Sequence, residues 1–190
     1  ESVHNHHNFA WREEHGGEMW WVIRKGCTPA FPGQKSFVGS TMGEDSVILE
    51  GSPEGYRALY STVHGAGRVM SRREALGKRR RGWVCPAPGC DWRGVSGGGN
   101  PGACPKCGHK KLVKGWVQVK PGRIDFDAVR AQLERRGIVL RGGGADEAPA
   151  AYKRLDDVLK AHGGTIRIIR RLRPLGVAMA GPDVYDPYKD

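Results

Sequence analysis

Ser61-Thr62-Val63-His64-Gly65-Ala66-Gly67-Arg68-Val69-Met70-Ser71-Arg72 is the stretch on which the reading of this chain turns. Upstream, Ser52-Pro53-Glu54 has the form of a helix start, with Ser at the N-cap and Pro at the first helical position, so a helix is predicted to run into Tyr60. The glycines around His64 interrupt it, and a second short helix is predicted over residues 71–76. The same glycines let the backbone approach a ligand closely. Arg68, four residues beyond the histidine, can grip a phosphate bidentately. A neutral imidazole nitrogen can attack phosphorus and form a phosphoramidate, which divides a hard transfer into two steps. On these residues alone an ordinary loop histidine stays the other reading.

On either side of this stretch the pattern is mixed. Residues 19–25 are apolar and aromatic and read as a buried strand. Residues 26–43 are loop-like, with Pro29, Pro32, Gly33, Gly39 and Gly43, and residues 46–50 read as another strand. Residues 125–136 form an amphipathic helix pattern, with Asp125 as N-cap, Val129 and Leu133 on one face, and Gly137 after the end. A short strand is predicted at 138–140, a helix at 151–161 with Leu155, Val158 and Leu159 on one face, and a half-buried strand at 165–172. No repeat is present, and strands and helices do not alternate regularly. The predicted class is therefore α+β, with mixed sheets and short helices, rather than a doubly wound parallel fold. Residues 1–77 and 120–182 are assigned to one body, 78–119 to a small insert and 183–190 to a polar tail.

The insert carries a local signature. Cys85-Pro86-Ala87-Pro88-Gly89-Cys90 and Cys104-Pro105-Lys106-Cys107-Gly108 are two short Cys hairpins separated by 13 residues. Two such knuckles place four thiolates at the corners of a tetrahedron, and Pro and Gly beside each Cys suit turns that aim backbone amides at sulfur. A structural Zn²⁺ at Cys85, Cys90, Cys104 and Cys107 is predicted. Four protein ligands leave no open position for catalysis. The insert is either a self-supporting surface module or an RNA contact aided by Trp83, Trp92, Arg93, Lys106, Lys110 and Lys111, because rings and cations together stack bases and hold phosphates.

Composition sets the bounds. The 29 glycines among 190 residues favour turns over long helices, and 38% hydrophobic content is enough for a core. No apolar run reaches the roughly 18 residues that span a bilayer, and no membrane partner is expected. The chain starts at Glu1, not Met, and shows no signal-peptide pattern, so a cytoplasmic chain whose true N-terminus lies elsewhere is expected. The net charge of +11 includes the cluster Arg72, Arg73, Lys78, Arg79, Arg80 and Arg81, which suits a polyanion or, equally well, a solvated basic surface.

Two further stretches carry weaker chemistry. Gly39-Ser40-Thr41-Met42-Gly43, with Ser46, is a loop of small residues and hydroxyls before a strand, able to cradle phosphates with its amides. His7-Asn8, with His4 and His6 nearby, offers imidazole ligands for Mn²⁺ or Zn²⁺ but cannot complete a site alone.

Taken together, these stretches carry a resemblance. His6-His7-Asn8-Phe9, residues 24–31 (RKGCTPAF), residues 39–43, residues 61–72, residues 142–149 (GGGADEAP) and Ala151-Tyr152-Lys153 occur in the order seen in the C-terminal half of the RtcB family of RNA ligases. The resemblance covers nearly the whole chain except the Cys insert and the final tail. It implies joining of RNA 3′-phosphate or 2′,3′-cyclic phosphate ends to 5′-hydroxyl ends, with GTP and Mn²⁺ as cofactors and two ions in the complete site. It implies that His64 becomes a histidine–GMP adduct, with Arg68 near phosphate and His7 as a manganese ligand. It places Asn8, Gly39, Ser40, Thr41, Met42, Gly43, Ser46, Gly65, Ala66 and Gly67 around the nucleotide, Tyr152 stacked on guanine, and Arg24 and Lys25 near RNA phosphate. The implied partners are RNA (tRNA halves or broken RNA) and the N-terminal half, which holds the remaining metal ligands. Three departures stand out. Ala180 occupies the place of a family lysine that contacts guanine, which leaves ATP open. The insert interrupts a run that is usually continuous. Cys27 does not match the ligand cysteine and reads as a buried structural thiol. The alternative is a zinc-ribbon RNA-binding or regulatory subunit with an inactive ligase remnant.

Overall fold

The computed structural model describes residues 2–95, 97 and 99–180, so the predicted tail at 183–190 lies outside the described residues. In chain order the strands are β1 (Asn8–His15), β2 (Glu18–Lys25), β3 (Cys27–Pro29), β4 (Lys35–Val38), β5 (Ser46–Gly51), β6 (Ser61–Val63), β7 (Lys78–Val84), β8 (Arg93–Val95), β9 (Val113–Lys120), β10 (Val139–Arg141), β11 (Ile166–Leu172) and β12 (Gly176–Ala178). The helices are α1 (Arg72–Leu76), α2 (Phe126–Arg135) and α3 (Leu155–Ala161). The architecture is α+β, with five small sheets ordered β1-β2, β3-β6, β11-β5-β4, β10-β12 and β8-β7-β9.

Local chemistry accounts for most boundaries. Gly16 and Gly17 sit at φ +63° and +85°, the paired positive values of a two-residue hairpin turn, and His15 pairs with Glu18 across it. Ser71 caps α1 by accepting from the Glu74 amide, and Asp125 caps α2 by accepting from Asp127 and Ala128. The helix predicted from Ser52 is a 3₁₀ helix over Pro53–Ala58, and Ser52 Oγ donates to Gly164 O instead of capping it. Leu59 and Tyr60 then take φ of +48° each and turn the chain into β6. The predicted helix at 151–161 is confined to α3, because Pro149–Ala151 forms a separate 3₁₀ turn.

The strand at 19–25 forms but is not buried. Val22 and Arg24 are inside, while Met19, Trp20, Trp21 and Ile23 are 51–76% exposed. The reason is topological: among the described residues β1 and β2 pair only with each other, so the face of Met19, Trp21 and Ile23 is open and the other face is covered only at Val22 and Arg24.

Two cores hold the body together. In one, Val38, Val47 and Leu49 of the β11-β5-β4 sheet pack against Leu155 and Leu159 of α3, and Ala66 joins them. In the other, Leu133 of α2 packs with Ile138 and Met42, flanked by Leu140 and Val177 of the parallel β10-β12 pair. The Cys-bearing segment has its own small core of Cys85, Cys104 and Leu112, with Trp83 and Trp92 against it. Its root is a backbone crossing: a Cβ on Gly122 would stand 1.9 Å from Ala75 O, and one on Gly77 2.3 Å from Lys120 O, so neither position accepts a side chain.

Candidate functional site

His64 leaves β6 at a point where three segments converge. The Gly39 amide donates to His64 O at 3.3 Å, and Gly39 bridges Gly65, so the small-residue loop and the histidine loop run side by side. Each loop is pinned by one apolar residue driven into a different core, Ala66 on one side and Met42 on the other. Gly67 has φ +76° and Gly43 φ +89°, and a Cβ on Gly43 would collide with Leu133 at 2.7 Å. The third segment is the start of β1. The Gly26 amide donates to His7 O at 2.9 Å, and the His7 and His64 rings lie 4.7 Å apart. His64 is exposed, yet its partial burial lowers the pKa and the nearby His7 lowers it further, which favours the neutral ring with its lone pair.

Arg68 is fixed from the other flank. Val69 N donates to Ala151 O and Lys153 N to Gly67 O, both at 2.9 Å, which stitches the histidine loop to the Tyr152 segment. Arg68 Nη1 donates to Tyr152 Oη at 2.7 Å, and the guanidinium lies 4.7 Å from the tyrosine ring centre. Tyr152 Oη in turn donates to Glu147, and burial followed by the Glu147 carboxylate pushes the phenol up to about 12, so the hydroxyl stays protonated. Arg68 Nη1 also lies 3.9 Å from the Glu147 carboxylate, while among the described residues the buried Nη2 has no hydrogen-bond partner and leaves one donor that an anion could accept from. Glu147 gives no signal in the sequence, because a carboxylate in a Gly/Ala/Pro loop has no diagnostic spacing. Its side chain meets Tyr152 only through the fold.

Other predicted residues behave differently. Arg24 is completely buried. Its Nε donates to Ser61 Oγ at 2.9 Å, Nη1 to Glu13 at 2.6 Å, and Nη2 to Glu13 and Leu59 O at 2.9 Å. Where the sequence suggested a residue near phosphate, the structure shows an internal clamp in which every guanidinium nitrogen donates to Glu13, Ser61 or Leu59. Burial raises the Glu13 carboxyl, but hydrogen bonds and charge from Arg24 and His15 outweigh it and hold the group below its ordinary value. Lys25 and Asn8 are exposed and paired across the hairpin. Met42 contributes only backbone to the loop, since its side chain is core. Ser46 Oγ accepts from Ser40 N at 3.2 Å, so it shapes the loop and occupies one amide that was expected to face phosphate. The Ser40 and Thr41 hydroxyls both donate to Glu44, at 3.2 and 3.1 Å, a partner the sequence did not reveal. Cys27 is half-buried and pairs with Val63.

The four knuckle cysteines meet. Their sulfurs lie within 4.8 Å of one another, with Cys85–Cys107 at 3.5 Å and Cys90–Cys104 at 3.7 Å. These separations are too long for disulfides, whose sulfurs sit about 2.05 Å apart. They match the edges of roughly 3.8 Å of a tetrahedron with metal–sulfur bonds of about 2.3 Å. Backbone amides of Ala87, Trp92, Lys106 and Cys107 point at the sulfurs. The cluster can hold a metal ion such as zinc. Among the described residues no helix is long and apolar enough to cross a membrane.

The fold and the site thus define an α+β protein in which an exposed histidine stands beside a small-residue loop and His7, with a half-buried arginine four residues on and a separate four-cysteine cluster. The family described as tRNA-splicing ligase RtcB matches residues 1–83. RNA-splicing ligase RtcB of Mycobacterium bovis is 32% identical over 82% of this chain and 30% of its own length. The tRNA-splicing ligases RtcB of Pyrococcus horikoshii and Archaeoglobus fulgidus are 31% and 32% identical over 90% of this chain, which covers 17% and 31% of them. The chain belongs to the RtcB family, and it spans a third or less of the length of these relatives.

Proposed function

We propose that this chain is the histidine-bearing segment of an RNA ligase that joins RNA 3′-phosphate or 2′,3′-cyclic phosphate ends to 5′-hydroxyl ends, using GTP. The observation that carries this reading is the convergence of His7, the Gly39–Gly43 loop and a His64 ring whose neutral form is favoured. The His64 lone pair attacks the α-phosphorus of GTP, a phosphorus–nitrogen bond forms, and pyrophosphate leaves. GMP passes from His64 to the RNA 3′-phosphate, which regenerates the imidazole, and the 5′-hydroxyl then displaces GMP as the new phosphodiester forms. Arg68, with its unpaired buried Nη2, holds phosphate, and Tyr152 and Glu147 fix its plane. Amides of Thr41, Gly43 and Gly65–Gly67 line the nucleotide side.

His7 supplies one imidazole to manganese. Among the described residues only the four cysteines gather three or more ligating groups, so this reading takes the other manganese ligands from an N-terminal half outside the chain. When bound, manganese polarises phosphate and neutralises developing charge. The exposed Met19, Trp21 and Ile23, which alternate along one face of β2, fit a surface that such a half would cover. Residues 78–119 are read as an insert in this body, with zinc at its cysteines.

The test is incubation with α-labelled GTP and Mn²⁺, with and without the N-terminal half, and with labelled ATP in parallel. Acid-labile label that is lost in His64→Ala supports the reading. A folded complex that takes up no label under any condition would overturn it in favour of a binding subunit with an inactive remnant.

A further inference from the structure

The sheet of the cysteine module carries a pattern that the ligase reading does not use. β7 and β9 register Arg79 with Gln118, Arg81 with Trp116, and Trp83 with Lys114. Opposed residues of an antiparallel pair share a face, and alternate residues return to it. One face therefore carries these six side chains as a lattice, cations and rings side by side, with the half-buried Trp83 also touching the knuckle core. The Arg81 guanidinium lies 4.7 Å from the Trp116 ring centre and Arg79 5.7 Å from it, while Lys114 Nζ lies 5.7 Å from Trp83. Trp116 is 39% exposed, and Arg81, Lys114 and Gln118 are exposed as well. The opposite face differs: Gly82 and Val117 are buried there beside Val84. Trp92, a candidate contact in the sequence, packs over Gly94, where an added Cβ would stand 2.7 Å from its ring, and belongs to the knuckle core.

The lattice does not end at the sheet. Arg79 and Gln118 also line a cleft of about 760 Å³ that continues past Arg123 and Arg130 to the Gly142-Gly143-Gly144 loop. That loop leads directly into Glu147, which is hydrogen-bonded to Tyr152 and so to Arg68. Cations and a half-exposed ring thus run from the module into a cleft whose Arg79 and Arg130 stand beside Asp125 and an Arg123–Glu74 ion pair, and the cleft leads toward the histidine site.

We infer that this face and cleft form a track for single-stranded RNA. Rings with an exposed face stack bases without regard to sequence, and interleaved cations hold the backbone. The charge of the lattice is wholly positive, which selects a polyanion over an acidic-and-apolar protein partner. That the bound RNA is the ligase's own substrate rests on the function proposed above; the binding itself does not.

The test measures anisotropy of a fluorescein-labelled 12-nucleotide oligouridylate with the whole chain across a salt series. Arg79→Glu with Arg81→Glu is expected to weaken binding by at least tenfold and to flatten the slope of log K against log salt by about 0.7 for each phosphate no longer neutralised. Trp116→Ala, which changes no charge, is expected to weaken binding about tenfold with the slope unchanged. Arg80→Glu with Arg93→Glu makes the same charge change on the opposite face and is expected to shift binding less than threefold. Equal losses from both faces, no loss with Trp116→Ala in a zinc-retaining chain, or equal competition by polyglutamate would overturn the track. His64→Ala should leave binding intact while abolishing the GMP label. A chain that binds RNA at this face yet never takes up label would sink the ligase reading and leave the track standing.

Discussion

The four cysteines and the His64 site place reactive atoms by opposite means. Cys85 to Cys107 bring four sulfurs within 4.8 Å inside a single short segment, and that segment has its own core. The histidine site draws on His7, Gly39, His64, Arg68, Glu147 and Tyr152, which no local turn could unite. It depends on two separate apolar cores, each holding one loop by one residue, Ala66 or Met42. A site built locally stands or falls with its metal. A site built from distant segments stands or falls with the packing behind it.

The contrast can be broken most sharply at the nucleophile. His64→Ala is expected to reduce GMP labelling at least about 10³-fold, since the neighbouring His7, 4.7 Å away, serves manganese in the proposed reading and does not replace the nucleophile. The melting temperature and the zinc content should stay unchanged; a variant that still takes up acid-labile label would move the nucleophile elsewhere. Metal removal attacks the other site. Chelation, or Cys104→Ser, is expected to abolish hydrogen-exchange protection in β7–β9 while β4, β5 and β11 keep theirs, because the module's core does not share residues with the body's. Simultaneous loss of protection in both regions would show that the Gly77–Gly122 root couples them.

Arg24→Ala tests the packing side of the comparison. It leaves the half-buried Glu13 with His15 as its remaining partner, so a loss of about 3 kcal/mol in unfolding free energy is expected, read by denaturant titration. The same pair sets an acid limb. The Glu13 carboxyl is held below its ordinary value, so its stabilisation is fully present above the unfolded-state value of 4.5 and is lost as pH falls through the lower folded-state value. Glu13→Gln should flatten stability against pH in that window; an unchanged acid limb would remove the pair from the account. The smallest effect is expected at Tyr152→Phe, which removes hydrogen bonds to Arg68 and Glu147 and should cost about 1 kcal/mol, a few-fold in labelling rate. Effects confined to KM for GTP would sharpen its role to guanine stacking.

Much of this was legible in the residues. The α+β class, the cap at Asp125, the helix faces of α2 and α3, and the meeting of the four cysteines all follow from spacing and side-chain chemistry read locally. The histidine loop stood out because two glycines and an arginine at fixed offsets are uncommon around an imidazole. Other features were not legible. Arg24 reads as half of a basic pair, yet it is an internal clamp, because its acceptors Glu13, Ser61 and Leu59 come from elsewhere in the chain. The residues at 19–25 read as a buried strand, yet their apolar face lies open, because a sequence pattern shows how side chains alternate but not what covers them. Trp92 and Trp116 look alike in the sequence, and only the fold packs the first against the knuckle core while the second, in register with Arg81, stays on the surface.

Residue types and short-range spacing set the chemistry on offer: a neutral-capable imidazole in a glycine-lined loop, a guanidinium four residues on, and four thiolates with metal spacing. Those properties depend on side-chain chemistry and on neighbours within a few positions. Folding settled which of these meet: His7 against His64, Arg68 against Tyr152 and Glu147, and a row of cations against Trp116. Such meetings are fixed by which apolar residues bury together and by the register of paired strands, and neither is written in any single stretch of the chain.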